Sequence, residues 1–395
     1  MTAPEHGRRT FLALCGTVAL SGCTSLLQAT PAPKHDWPTL GYDSRHAGYV
    51  PDATLSPTSD TPEWTVEGLS FPYTSPVVAG GSAYVASADR GLQSVDADDG
   101  TPEWRAPLSG TPAGAPAAAD GVVFVAHDDR HGDGDAVVSA FEADGDAEIR
   151  EPTWEATVGD DAAFAPTVAD GTVFVTTSDA AVALSADDGE ERWRRSIHGS
   201  ISGVDYDVCE GLSVAVDGDA AYVPGERGVL AVDANDGTEL WRAPLPRMRA
   251  SPAVSGGTVY ATGVGAGVRA FAADSGEERW RRNESGCWTS PAVAEGSVYA
   301  TAGFDLVELD AESGEERWRT GRHGLRADVR SSPAVVGDTV VLGTIDQTVV
   351  GLDPGAEDDT WGGGAGTHTS PAVSDGRVFA TDGRGLHAFG GGEGG

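Results

Sequence analysis

One unit of about forty residues, repeated around the chain, limits the possible folds more than any other feature. Ser251-Pro252-Ala253-Val254 recurs as Ser290-Pro291-Ala292-Val293, Ser332-Pro333-Ala334-Val335 and Ser370-Pro371-Ala372-Val373. Looser copies are Ser75-Pro76-Val77-Val78, Ala115-Pro116-Ala117-Ala118 and Ala165-Pro166-Thr167-Val168. An eighth, Ser213-Val214-Ala215-Val216, lacks the proline. A second marker is tryptophan, at Trp64, Trp104, Trp154, Trp193, Trp241, Trp280, Trp318 and Trp361, with spacings of 38 to 50 residues. Inside a unit, short apolar runs alternate with Gly-Gly, Asp-Gly or Glu-Gly turns, as in Ala292-Val293, Glu295-Gly296, Val298-Tyr299-Ala300-Thr301. Such pairs accept positive φ and suit tight hairpins. A third run, Val229 to Asp233, leads through Asn235-Asp236-Gly237 into Leu240-Trp241. Four short strands per unit predict an all-β chain folded as a β-propeller of four-stranded antiparallel blades.

The order of the markers predicts the closure. Trp64 precedes the first Ser-Pro marker, and no tryptophan follows the last. Eight hairpin units share eight tryptophan strands only if the strand Glu63 to Val66 completes the last blade. We therefore expect an eight-bladed ring closed by an N-terminal strand, which removes exposed sheet edges. The eight marker tryptophans are expected to dock between blades.

Ala231 to Trp241 resembles the tryptophan-docking motif of quinoprotein propellers, Ala-x-Asp-x-x-Thr-Gly-x-x-x-Trp. Ala270 to Trp280 and Glu308 to Trp318 are similar, and Asp96 to Trp104 and Ala183 to Trp193 follow it more loosely. Serine or aspartate stands where the motif has threonine, which keeps a turn-forming oxygen. Trp37-Pro38-Thr39-Leu40-Gly41-Tyr42-Asp43, with Arg45 and Gly48, resembles the opening segment of these proteins. The resemblance runs over residues 37–389. It implies a PQQ-like propeller of one of two classes. One comprises PQQ- and calcium-dependent alcohol or sugar dehydrogenases, with calcium held by carboxylate and amide ligands and a nearby aspartate as base. The other comprises cofactor-free, BamB-like binding and assembly scaffolds. The chain has no adjacent cysteines, no Cys-x-x-Cys-His and no long insertions. The scaffold class fits better, with no cofactor expected; PQQ and calcium belong to the alternative.

The N-terminus reads as an address. Arg8-Arg9-Thr10-Phe11-Leu12 resembles a twin-arginine export signal, and Leu20-Ser21-Gly22-Cys23 a lipobox. The apolar run between them is too short to span a bilayer as an ordinary helix. The expected organisation is a signal peptide at 1–22, lipid on Cys23, a tether at 23–36, the propeller at 37–389 and a Gly-rich tail at 390–395. That places the protein at the extracellular face of the cell membrane, exported by the twin-arginine route. The remaining cysteines, Cys209 and Cys287, are either a disulfide or two buried thiols.

Charge excludes one class of partner. Asp and Glu total 61 against 26 Lys and Arg, a net charge of −35. Such a surface repels phosphate backbones, so nucleic acid is not expected. A single lysine, Lys34, stands among the cations. Abundant carboxylate with arginine is the surface of a protein made for concentrated salt, where self-repulsion is screened.

The loops entering each innermost strand are where a site is expected. They carry Tyr73, Asp205, Tyr206, Asp207, Arg247, Arg249, Trp288, Arg326, Asp328, Arg330 and His368. Trp288, outside the repeat pattern, is either a stacking surface or a plug in the narrow end of the channel. Arg249 and Arg330 are either a carboxylate clamp or solvated balance for local acid. Asp128 to Asp135, rich in Asp and Gly, has no closing glutamate for a calcium loop. No phosphate loop, metalloprotease or nucleophile-elbow motif occurs. The expected function is a monomeric, non-enzymatic scaffold for cell-surface or membrane proteins or a small extracellular ligand.

Overall fold

The computed structural model describes residues 36–51, 53–55, 61–70, 74–112, 114–128, 135–160, 163–197, 212–320, 329, 331–344, 348–355, 361–363 and 369–390. Every regular element among them is a β-strand. The strands make eight sheets, and each sheet is one blade of an eight-bladed propeller. Blade 5 shows the plan. Ala253–Ser255, Thr258–Gly263, Gly267–Ala272 and Glu278–Arg282 lie side by side, antiparallel, from the channel outward. The first turn is Gly256-Gly257 with φ of 55° and 69°. Both are left-handed, as a two-residue hairpin following the sheet twist requires.

The other innermost strands are Val77–Ala79 (blade 1), Ala117–Ala119 (blade 2), Thr167–Ala169 (blade 3), Ala215–Asp217 (blade 4), Ala292–Ala294 (blade 6), Ala334–Val336 (blade 7) and Ala372–Ser374 (blade 8). Each touches the next, and the last touches the first. The closing strand is Trp64–Glu67, which pairs antiparallel with Gly385–Phe389 and sets Trp64 opposite Ala388. Closure is therefore as expected, with the strand one residue further along.

The second motif has a physical explanation in the contacts between blades. Trp241 of blade 4 donates its indole N–H to Ala273 O of blade 5 at 2.8 Å. Its ring lies so close to Gly276 that a Cβ there would come within 2.5 Å. The motif glycine is thus the landing place for the preceding blade's indole. Trp104, Trp154, Trp193 and Trp280 repeat the donation, to Ala143, Ala186, Ala234 and Ala311. Trp64 lies on Gly100 of blade 1 in the same way, across the seam of the ring. Each indole also meets a ring of its own blade, such as Tyr222 beside Trp241 with centroids 5.8 Å apart. Trp318 is half-buried, and the Trp361 side chain lies outside the described residues.

The apolar core is correspondingly divided into layers between adjacent sheets. Val229 and Trp241 of blade 4 pack with Val259 and Phe271 of blade 5. On the rim, arginines reach across blades: Arg195 to Glu239 at 2.8 Å, Arg282 to Glu316 at 2.7 Å, Arg377 to Asp98 at 2.9 Å. These pairs are partly solvated, so each contributes roughly 0–1 kcal/mol.

Candidate functional site

The innermost strand of each blade has an edge facing the channel, and its backbone N–H groups need partners. At the hairpin end the opening segment supplies them. The carbonyls of Trp37, Pro38, Ser44, Arg45, Ala47 and Gly48 accept from the N–H groups of Val78, Ala118, Val216, Val254, Val293 and Val335, at 2.6–2.9 Å. These acceptors serve blades 1, 2, 4, 5, 6 and 7. Blade 3 is reached by a side chain, His46 Nε2 lying 2.9 Å from Thr167 Oγ1. Tyr49–Val50 then adds to Ala334–Val336 as a short parallel strand. Left-handed φ at Gly41, Tyr42, His46 and Gly48 lets so short a stretch coil across the channel. His46 is 2% exposed. Burial pushes its pKa down to about 4, against the opposing pull of the Asp43 carboxylate. One end of the channel is therefore closed by the chain itself.

The other end is the mouth, and the marker serine organises it. The N–H of Ser213 donates to Ser251 Oγ of the next blade, Ser251 N–H to Ser290 Oγ, and Ser290 N–H to Ser332 Oγ. Ser332 N–H donates to Ser370 Oγ, and Ser370 N–H to Ser75 Oγ across the seam, at 2.8 Å each. Alanine stands at this place in blades 2 and 3, at Ala115 and Ala165. The hydroxyl before the serine pegs the loop to its own blade. Thr289 Oγ1 meets Thr301 Oγ1 and Thr369 Oγ1 meets Thr381 Oγ1, both at 2.7 Å. Two residues before the serine stand Arg249 and Trp288, both half-buried. Arg249 Nη1 is enclosed without a hydrogen-bond partner. Tyr73, Arg330 and His368 occupy the same step of the sequence, whereas blades 2, 3 and 4 have Ala113, Ala163 and Gly211.

Tyr73, Asp205, Arg330 and His368 lie outside the described residues, as do Arg8, Arg9, Cys23, Cys209 and the middle of the acidic loop, 129–134. Cys287 is a buried free thiol, pushed up to about 12 first by burial and then by the Glu284 carboxylate. It is no nucleophile at neutral pH. No sequence motif pointed to Phe304, which is 60% exposed in the turn Gly303-Phe304 of blade 6. Gly303 N–H donates to Gly286 O, so this turn lies against the loop carrying Trp288.

Two further polar relays run within blades. Thr65 Oγ1 lies 3.0 Å from His387 Nδ1, and His387 Nε2 lies 2.8 Å from Asp382 Oδ1. Burial would raise the Asp382 carboxyl, but the His387 contact and the N–H groups of Arg384 and Gly385 hold it below its ordinary range. The relay ties the closing strand to blade 8. In blade 2, Ser139 bridges His127 Nε2 and Glu155 Oε1 at 2.8 and 2.9 Å.

The sequence family described as outer membrane protein assembly factor BamB matches residues 48–148, 145–230 and 225–385. The chain belongs to this family. No curated protein matches it. Among solved structures, BamB from Moraxella catarrhalis is similar with a TM-score of 0.67 at 16% identity, over 85% of this chain and 98% of that one. A europium-containing methanol dehydrogenase gives 0.68 at 13%, over 89% and 90%. A computationally designed protein, Ika8, gives 0.65 at 14%, over 86% and 99%. An assembly factor, a dehydrogenase and a design on one fold leave function to the site.

The quinoprotein resemblance implies, for its dehydrogenase class, a calcium beside the quinone. Among the described residues no three of His, Cys, Asp and Glu are grouped to hold a metal ion. Arg249 and Trp288 supply a cation and an indole at the mouth, and neither is a ligand for calcium. The described residues of this BamB-family chain include no such group to hold calcium beside PQQ.

Proposed function

We propose that the chain is a non-enzymatic binding propeller, exported by the twin-arginine route and held by lipid on Cys23 at the outer face of the cell membrane. Its mouth captures a membrane or cell-surface protein, or a small extracellular ligand. The observation that carries this reading is the inequality of the two ends. The opening segment satisfies the channel edges at one end. At the other, Phe304 is exposed beside the loop of Trp288, with Arg249 one blade away. Exposed aromatics with arginine are the residue types that dominate protein interfaces. We assign Tyr73, Asp205, Arg330 and His368 to the same mouth, because all but Asp205 share the step occupied by Arg249 and Trp288. The acidic, arginine-rich surface suits concentrated salt.

Cross-linking in intact cells, followed by mass spectrometry, tests the reading. A partner captured by the native chain and lost with Phe304→Ala plus Trp288→Ala supports it. Stoichiometric uptake of PQQ and calcium with turnover of an alcohol or sugar overturns it. Membrane fractionation of Cys23→Ser and of Arg8→Lys with Arg9→Lys tests the address; unchanged fractionation in both refutes it.

A further inference from the structure

The opening segment does more than close the channel. Its outer side forms a cleft of about 580 Å³ with the ends of blades 5 and 6, within the ~300–1,000 Å³ common for small-ligand sites. Tyr42, Tyr49, Asp36, Asp43 and Arg45 line it above a floor that includes Val254 and Val293. It lies at the hairpin end, opposite the mouth, and stands whatever the mouth binds.

Tyr42 is at φ +81°, directly after Gly41 at +74°. A bulky side chain in this region is strained, and glycine would sit there freely. Strain of this kind persists where something else requires the side chain. The Tyr42 ring packs on Trp37, with centroids 5.5 Å apart, and stays half-exposed towards the cleft. Arg45 gives Nε and Nη2 to Asp43 Oδ2 at 2.9 and 2.7 Å, which leaves Nη1 uncommitted on a half-exposed side chain. Asp36 Oδ2 accepts from Gly80 N–H, leaving its second oxygen available.

These groups select a class of ligand. Two carboxylates against one guanidinium make the lining net negative, which disfavours phosphates and other anions. Arg45 takes up one carboxylate, Asp43, and leaves Asp36 as a lone anionic acceptor, too few ligands to hold a metal cation. A wholly apolar ligand would strip water from the charged groups without replacing their hydrogen bonds. A neutral ring with C–H faces and several hydroxyls meets these conditions: a face would lie on a tyrosine ring, and separate hydroxyls would accept from Arg45 Nη1 and donate to Asp36. We infer that the cleft built by Tyr42, Tyr49, Asp36 and Arg45 is a binding site for a neutral sugar.

Saturation-transfer NMR on the full chain tests this with neutral methyl hexosides, methyl glucuronide and choline as probes. A neutral hexoside should give transfer, and the glucuronide and choline little. Tyr42→Gly should weaken hexoside binding tenfold or more without lowering the melting temperature; Leu240→Ala, at an exposed place on the outer strand of blade 4, should leave binding unchanged. If Tyr42→Gly melts earlier, Arg45→Gln decides, since that side chain is half exposed: binding lost in a chain of native stability sustains the site. No transfer from any neutral hexoside, preference for glucuronide or choline, or retention of binding by both variants overturns it.

Discussion

The two ends of the channel solve different problems with the same repeat. At the hairpin end, backbone meets backbone, and twelve residues from Trp37 to Gly48 satisfy the inner edges of six blades. At the mouth, side chains meet backbone, and five serine links join blades 4 to 8 and blade 1. At the closed end the bonding groups are backbone, and His46 is buried among them. The mouth holds its loops level while the residue two before each marker varies in the sequence, from Arg249 and Trp288 to Ala113 and Ala163. A propeller of this kind concentrates stability at one end and variation at the other.

The largest effect should come from removing the closed end. Deleting residues 24–50 leaves six channel-facing N–H groups without acceptors and should abolish a single cooperative melt in high salt. Deleting only 24–34 should leave the melt unchanged. Equal melting curves for the two would break the comparison.

Next, Trp241→Ala removes an indole held between blades and should cost about 3–5 kcal/mol in denaturant unfolding. A loss under about 1 kcal/mol would mean that adjacent blades are not coupled through it.

The closed end should also carry a pH signature. His46 has its folded pKa lowered to about 4 from an ordinary 6.5. Between these values the unfolded chain binds the extra proton, so stability falls as pH drops through that window and levels off below it. The loss is on the order of 3 kcal/mol. Unfolding free energies of His46→Gln, measured from pH 7 to pH 4, should lack this component. A native slope retained in that variant would assign it elsewhere.

Ser290→Ala strips Ser251 N–H of its acceptor inside the mouth and should cost about 1–3 kcal/mol. Ala115→Ser, in a blade that lacks the link, should bring no comparable gain. Smallest of all, Arg249→Ala should cost no more than about 0.5 kcal/mol, because its enclosed Nη1 has no partner to lose. A larger loss would place Arg249 in the framework of the mouth and remove it from the binding surface.

Much of this was legible in the residues. The recurrence of Ser-Pro-Ala-Val and of tryptophan marked out four strands per blade, and the order Trp64-before-Ser75 predicted which strand closes the ring; the short strands Tyr49–Val50 and Thr111–Pro112 had no such marker. The glycine of the docking motif was visible as a turn residue only. That it bears the preceding blade's indole, as Gly276 bears Trp241, depends on a contact across 35 residues of chain. The marker serine was visible as a repeat, yet its partner is the same residue one blade on, which a linear reading does not pair. Trp37 to Gly48 was read as an opening segment by likeness, with no hint that it crosses the channel. Its carbonyls carry no sequence signature, since any residue has one.

The sequence by itself determined the class of fold, the number of blades and the strand that joins the two ends, because hairpins and docking tryptophans repeat locally and periodicity is local information. Only the tertiary structure decided which end of the channel is shut, that His46 is buried there, and that the turn of Phe304 lies against the loop carrying Trp288. Those facts depend on backbone edges and loops brought together by ring closure, and closure pairs residues more than three hundred positions apart, as in Thr65 with His387.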